Sequence, residues 1–241
     1  MPLPSIAAEG VRPPVPEGMN LAAHVLAGAE RWPDRVALQI LRPSGAERWS
    51  FARLAAAVRG VGTGLLAEGL VPGDRILMRI GNAVEFPLVF LGAIAAGLVP
   101  VPTAAGLTAG EVARLVPVVA PRLVVAEVGV ALPDALPCPV LDAGRIAGMA
   151  ALAPCDWAMG PSDRMAYAVF TSGTSGTPLA VAHAHRAIIA RAMMRLGWEG
   201  LEPGDRLLHA GALNWTYTLG TGLMDPWVAG ACALIPAAGV E

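Results

Sequence analysis

Two stretches of this chain are nearly the same decapeptide: EGLVPGDRIL at residues 68–77 and EGLEPGDRLL at 199–208, identical at eight of ten positions. Each follows a helical pattern and leads into apolar residues, so a helix terminator, a Pro-Gly-Asp turn and a strand start are used twice. A chain of 241 residues that repeats such a joint alternates helices with strands. The fold it implies is α/β, with two similarly wound sheet-and-helix layers. Convergence of two unrelated segments on an easily formed turn is the alternative.

Local signals fill in the rest. Asn20 caps a helix running to about Arg31 and closed by Pro33, and VALQI and AERWS read as strands joined by the Pro-Ser-Gly turn at 43–45. Ser50 caps a helix in which Leu54, Val58, Val61 and Leu65 recur at helical spacing until Gly69 ends it. RILMRI is a strand, and Phe86 to Gly97 a buried helix followed by a short buried strand. Thr108 opens a helix toward Val119, and RLVVA follows as a strand. Prolines and alanines dominate 133–161, where little is assigned. AYAVF at 166–170 reads as a buried strand, LAVAHA as another, and the helix after Arg186 has Ile188, Ile189, Ala192, Met193 and Leu196 on its apolar face. The division expected is an extension over 1–19, a first α/β subdomain over 20–160, and a second beginning at 161 and running to 241.

Hydrophobic residues make up 55% of the chain and the mean hydropathy is +0.56, so a membrane span has to be tested first. The longest uncharged run, Phe86 to Gly110, is broken by Pro87, Pro100 and Pro102 and falls short of the ~20 apolar residues a spanning helix needs. No cationic start followed by an apolar block marks a secretory signal, so a cytoplasmic location is expected. Cys138, Cys155 and Cys232 form no CxxC pair and read as buried thiols. A formal charge of −2 without a basic, aromatic-interleaved stripe argues against nucleic acid. All seventeen basic residues are arginine, so no side-chain ammonium is available for chemistry on this polypeptide.

The stretch most directly tied to chemistry follows AYAVF. Thr171, Ser172, Gly173, Thr174, Ser175, Gly176 and Thr177 offer hydroxyl and main-chain donors at a bend where glycine lets amides converge, a composition suited to phosphate oxygens. GxxxxGK[ST] is absent and proline follows, so this is not a Walker A loop. A Ser/Gly-rich surface turn is the bland reading.

YAVFTSGTSGTPLAVAHAH at 167–185 resembles the nucleotide phosphate loop of the adenylate-forming superfamily, which includes acyl-CoA and aryl-CoA ligases, luciferases and peptide-synthetase adenylation domains. NLAAHVLAGAERWPDRVAL, WSFARLAAAVRGVGTGLLAEGLVPGDRILMRIGN, EFPLVFLGAIAAGLVPVP and LTAGEVARLV resemble the same family in the same order, from about Asn20 onward. The resemblance implies a two-step ligase: a carboxylate attacks the α-phosphorus of Mg-ATP to give acyl-adenylate and pyrophosphate, and coenzyme A then displaces AMP. In that reading, Thr171 to Thr177 hold the β- and γ-phosphates. ALNWTYTLGTGLMDPWVAGACAL resembles the segment shaping the carboxylate pocket, so that Asn214, Trp215, Tyr217 and Gly220 contact an aryl or medium-chain acid. Trp215 falls where relatives place an aromatic or histidine gate.

The sequence also departs from that family. Relatives read Pro-Lys-Gly after the loop, whereas here Pro178 precedes Leu179 and Ala180. The family's later motifs, including the adenylation lysine, have no counterpart before Glu241. Two readings therefore stand: the front part of a carboxylate-CoA ligase, or a non-catalytic nucleotide-binding or interaction module. ACALIP near the end is expected to leave an unpaired apolar edge and so to drive self-association or docking of a missing C-terminal portion. His183 and His185 suggest a metal pair, but no further His, Cys or acidic ligand lies nearby in sequence and no metal site is expected. Arg186, Arg191 and Arg195 could reach phosphate or a partner but read as a solvated charged face, and Asp74 and Asp205 are turn residues. Trp215 and Tyr217 as core aromatics are the alternative to a gate.

Overall fold

A computed structural model describes residues 13–171 and 178–237, apart from the side chain of Leu196. Asn20 caps α1 (Leu21–Val25) by accepting from the amides of Ala22 and Ala23. The helix expected to reach Arg31 is interrupted: the Ala29 amide bonds back only three residues to Leu26, and α2 (Gly28–Arg31) starts afresh. That tightening seats Gly28 on the Phe51 ring, where a Cβ would lie 2.8 Å from a ring carbon. β1 (Val36–Arg42) and β2 (Gly45–Ser50) form an antiparallel hairpin, and the Ser50 hydroxyl caps α3 (Phe51–Ala67). Leu54, Val58, Val61 and Leu65 are fully buried along α3.

β3 (Arg75–Arg79) leads to the buried α4 (Glu85–Ala95), β4 (Val99–Pro102) and α5 (Ala109–Val119), which opens with the Thr108/Glu111 capping box. A Cβ at Gly92 would meet the Val58 carbonyl oxygen at 2.9 Å, so α3 and α4 touch backbone to backbone there. β5 (Leu123–Ala126) and β6 (Val140–Asp142) complete a parallel sheet in the order β4-β3-β5-β6, and α6 (Ile146–Met149) lies in the proline-rich region where the sequence assigns little.

β7 (Met165–Thr171) and β8 (Leu179–Ala184) pair antiparallel, followed by α7 (Ala187–Met194), a π-helical turn Arg195–Glu199 and β9 (Arg206–Leu208). A π-helical segment Thr218–Met224 runs into α8 (Asp225–Ala229), and β10 (Cys232–Pro236) returns parallel to β9. The second large sheet is ordered β2-β1-β10-β9. β10 is therefore an interior strand, with Leu38 opposite Ala233 and Cys232 opposite Arg206, and the open apolar edge expected at ACALIP is corrected: the edges are β2 and β9. Among the described residues no helix is long and apolar enough to cross a membrane.

The repeated decapeptide proves to be part of a longer structural echo. Gly69 and Gly200 end their helices at φ 84° and 62°, and Gly73 and Gly204 turn at φ 94° and 100°. Asp74 accepts from the Val71 amide at 2.9 Å and Asp205 from the Glu202 amide at 2.8 Å. Gly73 donates to Gly97 and Gly204 to Gly230, two glycines at φ 79° and 78° that each end the next helix. The Asp74 and Asp205 carbonyls then accept from Val99 and Cys232, the first residues of the next parallel strands. A shared turn alone would not reproduce the second helix terminator and the crossover, so β3–α4–β4 and β9–α8–β10 are two copies of one strand–helix–strand unit.

Candidate functional site

The hydroxyl-rich stretch is flanked by two paired residues. β7 and β8 stay in register as Tyr167 with His183, Val169 with Val181 and Thr171 with Leu179. The Thr171 hydroxyl, exposed at the end of β7, donates to the Leu179 carbonyl at 3.4 Å. Ser172, Gly173, Thr174, Ser175, Gly176 and Thr177 lie outside the described residues. β7 is buried from Ala166 to Val169, so its far end is a fixed anchor, while Leu179 at the start of β8 is largely exposed.

The other candidate residues follow β9. A cleft of about 480 Å³ opens where β3, β4 and β10 end, lined by Gly81, Asn82, Ala105, Gly106, Leu213 and Asn214 among others. Carboxyl ends of parallel strands are the usual place for ligands in open α/β sheets. Asn82 spans the gap between the two repeated units: its Nδ2 donates to the Gly211 carbonyl and its Oδ1 accepts from the Leu213 amide, both at 3.1 Å. Asn214 lines this cleft; Trp215 and Tyr217 do not. Both aromatics are about half exposed, at 55% and 50%, which overturns their reading as core residues. Tyr217 lies 6.3 Å from the Trp198 ring and meets His209 edge-on at 5.4 Å.

Gly220 points the other way, into the protein, and has Arg191 of α7 directly against it; a Cβ there would collide with the guanidinium. Arg191 is not part of a solvated face. Its Nε donates to both Asp225 carboxylate oxygens at 2.9 and 3.1 Å, and its terminal nitrogen reaches Asp225 and the Thr221 hydroxyl, the latter at 3.2 Å. Asp225 is 2% exposed. Tyr167 of β7 lies beside this pair, and burial pushes its hydroxyl up to about 12. The strand that delivers the hydroxyl-rich bend and the segment carrying Tyr217 and Gly220 therefore meet at Arg191. Local patterns could not show this pairing, because Asp225 is thirty-four residues from Arg191; the only local hint is a carboxylate inside the apolar run LMDPW.

The two histidines have separate uses. His183 stacks on Tyr167 at 4.6 Å, and its pKa is lowered by burial and then by Arg191. His185 is buried just past β8, where its Nδ1 accepts from the Leu21 amide at 2.8 Å. Burial and the neighbouring Arg164 push His185 down to about 4, so it stands neutral with the remaining proton on Nε2. Asp74 and Asp205 act in their turns as read from sequence. Of the three thiols only Cys232 is fully buried; Cys138 and Cys155 are partly exposed.

Comparison with known proteins gives a coherent set of matches. The family described as AMP-binding enzyme matches residues 26–240. The human mitochondrial acyl-coenzyme A synthetase ACSM2A is 29% identical over 92% of this chain and 43% of its own length. Benzoate–CoA ligase of Thauera aromatica is 30% identical over 78% of this chain and 39% of its own. The chain thus spans about 40% of the length of these curated relatives. Among solved structures, a benzoate CoA ligase from Burkholderia xenovorans LB400 superposes with a TM-score of 0.80 at 24% identity, covering 92% of this chain and 46% of that one. VinN in complex with 3-methylaspartate superposes at 0.82 and 22% identity, covering 92% of this chain and 63% of that one.

Proposed function

Because the chain belongs to the AMP-binding enzyme family, we propose that it is the front part of an ATP-dependent ligase that activates a carboxylic acid and passes it to coenzyme A. A carboxylate oxygen attacks the α-phosphorus of Mg-ATP, pyrophosphate leaves, and the thiol of coenzyme A then displaces AMP from the acyl carbon. Residues 171–177 hold the β- and γ-phosphates, which orients the departing pyrophosphate; such a step runs mainly on positioning and charge stabilisation. Hydroxyl and amide donors suit those oxygens, but no cation stands beside them at Leu179 or Ala180. Trp215 and Tyr217 border the acid, Asn214 faces it from the neighbouring cleft, and Gly220 backs the segment against Arg191. An aryl acid is favoured by the half-exposed Trp215 and Tyr217, whose faces can stack on a ring, and by the likeness to a benzoate–CoA ligase.

The observation that supports this reading is the meeting of β7, the strand that leads to residue 171, with segment 217–225 at Arg191. The adenylation lysine of the family is not supplied by this polypeptide, which has none. The test is a chimaera in which the portion of the Thauera benzoate–CoA ligase beyond the matched segment follows this chain. Benzoate-dependent exchange of labelled pyrophosphate into ATP is expected; a folded chimaera silent with a broad panel of acids contradicts the proposal. The lysine-free composition favours a second reading, a non-catalytic binder of nucleotide or acyl-adenylate. Calorimetric heat with an acyl-adenylate analogue, without exchange in the chimaera, would support it.

A further inference from the structure

Glu199 closes the π-helical turn that follows α7, and both of its carboxylate oxygens are buried without receiving a hydrogen bond from the described residues. The groups around it come from four elements. Arg191 faces it from α7, Asp225 from the first turn of α8 and Thr221 from the π-helical segment; Tyr167 of β7, with His183 of β8 stacked on it, lies near Arg191. Arg195 opens the same turn and stands beside His24 of α1. The guanidinium of Arg191 is already committed to Asp225 and Thr221. Two carboxylates therefore share one cation, and Asp225 has taken it.

A buried carboxylate with no donor holds a proton more readily than a paired one, and a neighbouring negative charge strengthens that preference. As an acid, Glu199 has in Asp225 an acceptor within reach. We propose that Glu199 carries a proton in the folded protein and, by donating it to Asp225, acts as a positioning residue that fastens segment 217–225 to α7. Loss of the proton sets two carboxylates against one guanidinium and loosens the segment. Burial first, and then Asp225, push the Glu199 carboxyl above the usual carboxylate range against smaller opposing pulls from Thr221 and Arg191. The effect is transmitted because Gly220 packs directly on the Arg191 guanidinium, so Arg191 cannot shift without moving the backbone that carries Tyr217. Both facing segments are π-helical, a rare geometry that recurs at functional sites. Calling the moved segment an acid pocket rests on the function proposed above; the proton itself does not.

Two measurements on the intact chain test this. Carbon-detected NMR of side-chain carboxyls follows Glu199 directly, assigned by its disappearance in Glu199→Gln. Hydrogen exchange, corrected for the intrinsic rate at each pH, follows peptides covering 195–200 and 217–225. Glu199 is expected to titrate above the ordinary glutamate range. Both peptides are expected to lose protection as pH rises through that midpoint, by about tenfold for each unit the midpoint is raised, and Glu199→Gln to remove the dependence. Titration of Glu199 in the ordinary range, or a raised titration that leaves both peptides unchanged, overturns the proposal. Should Glu199→Gln not fold, selective labelling and sequential assignment of the wild-type carbon yield the same titration curve. Failure of the ligase reading has a different signature: no acid or nucleotide binds, with the Glu199 titration intact.

Discussion

Replacing Asn20 by alanine isolates the residue that ties the start of α1 to the end of α4. Asn20 is 1% exposed. Its Oδ1 accepts from the amides of Ala22 at 2.9 Å and Ala23 at 3.3 Å, and its Nδ2 donates to the carbonyls of Ile94 at 2.8 Å and Ala158 at 3.0 Å. The carbonyls are the cheaper loss, because Ile94 still accepts from Gly97 and Ala158 from Arg164. The two amides have no second acceptor among the described residues, so removing a helix cap costs about 1 kcal/mol and up to about 2. Losing the buried donor bonds adds about 1 kcal/mol. Asn20→Ala should therefore lower the unfolding free energy by about 2–3 kcal/mol, read as a fall in the urea midpoint with an unchanged slope. Asn20→Asp keeps the cap acceptor but turns a carboxylate toward the Ile94 and Ala158 carbonyls. It should be less stable than Asn20→Ala at neutral pH, with the deficit shrinking as the carboxyl is protonated. A change within about 0.5 kcal/mol for Asn20→Ala, the range of ordinary surface substitutions, would refute the reasoning.

Asp225→Ala removes the carboxylate that receives the Arg191 hydrogen bonds, and because the Glu199 carboxylate facing Arg191 can offset part of the charge, it should cost about 1.5–3 kcal/mol in the same assay. Gly220→Ala forces a methyl against Arg191 and should destabilise by about 1–3 kcal/mol, with the loss relieved in the Gly220→Ala/Arg191→Ala double variant relative to the sum of the singles. His185, near pKa 4 in the fold against an unperturbed 6.5, binds its proton more readily when unfolded. Its contribution to stability is therefore complete above about 6.5 and is lost as pH falls toward 4, by about 3 kcal/mol in all. The urea midpoint of the wild type should fall over that window, and His185→Gln, whose amide oxygen can still accept from Leu21, should flatten the slope.

Much of the framework was legible because it is local. The repeated turn, the Ser50 and Thr108 caps, and the spacing of Leu54, Val58, Val61 and Leu65 each act within a few residues, and each appears where the sequence places it. The sheet order was not local. ACALIP reads as an apolar strand, but only the long-range pairing of Leu38 with Ala233 reveals it as interior. Met193 fits the helical apolar face by spacing, yet α7 buries Ile188 and Ile189 and leaves Met193 51% exposed. Arg191 sits in a helix flanked by Arg186 and Arg195 and reads as solvated until Asp225 is folded against it. Asn82 was missed altogether, although a polar residue between the end of β3 and a buried helix was the available signal. In the candidate site, Asn214 and Gly220 are placed by the fold in two different surroundings, the cleft and the Arg191 cluster, a distinction that motif resemblance alone does not carry.

The central claim is that the residues after Phe170 and the exposed Trp215 and Tyr217 are two parts of one receptor for an activated acid. Titration of a non-hydrolysable benzoyl-adenylate analogue into the chain, followed by calorimetry, tests it most directly. Saturable binding of one analogue per chain is predicted, weakened about tenfold or more, or about 1.4 kcal/mol, in Tyr217→Ala, whose half-exposed side chain can be removed without unfolding the protein. The absence of heat with the folded wild type, or equal affinity in the variant, would contradict the account.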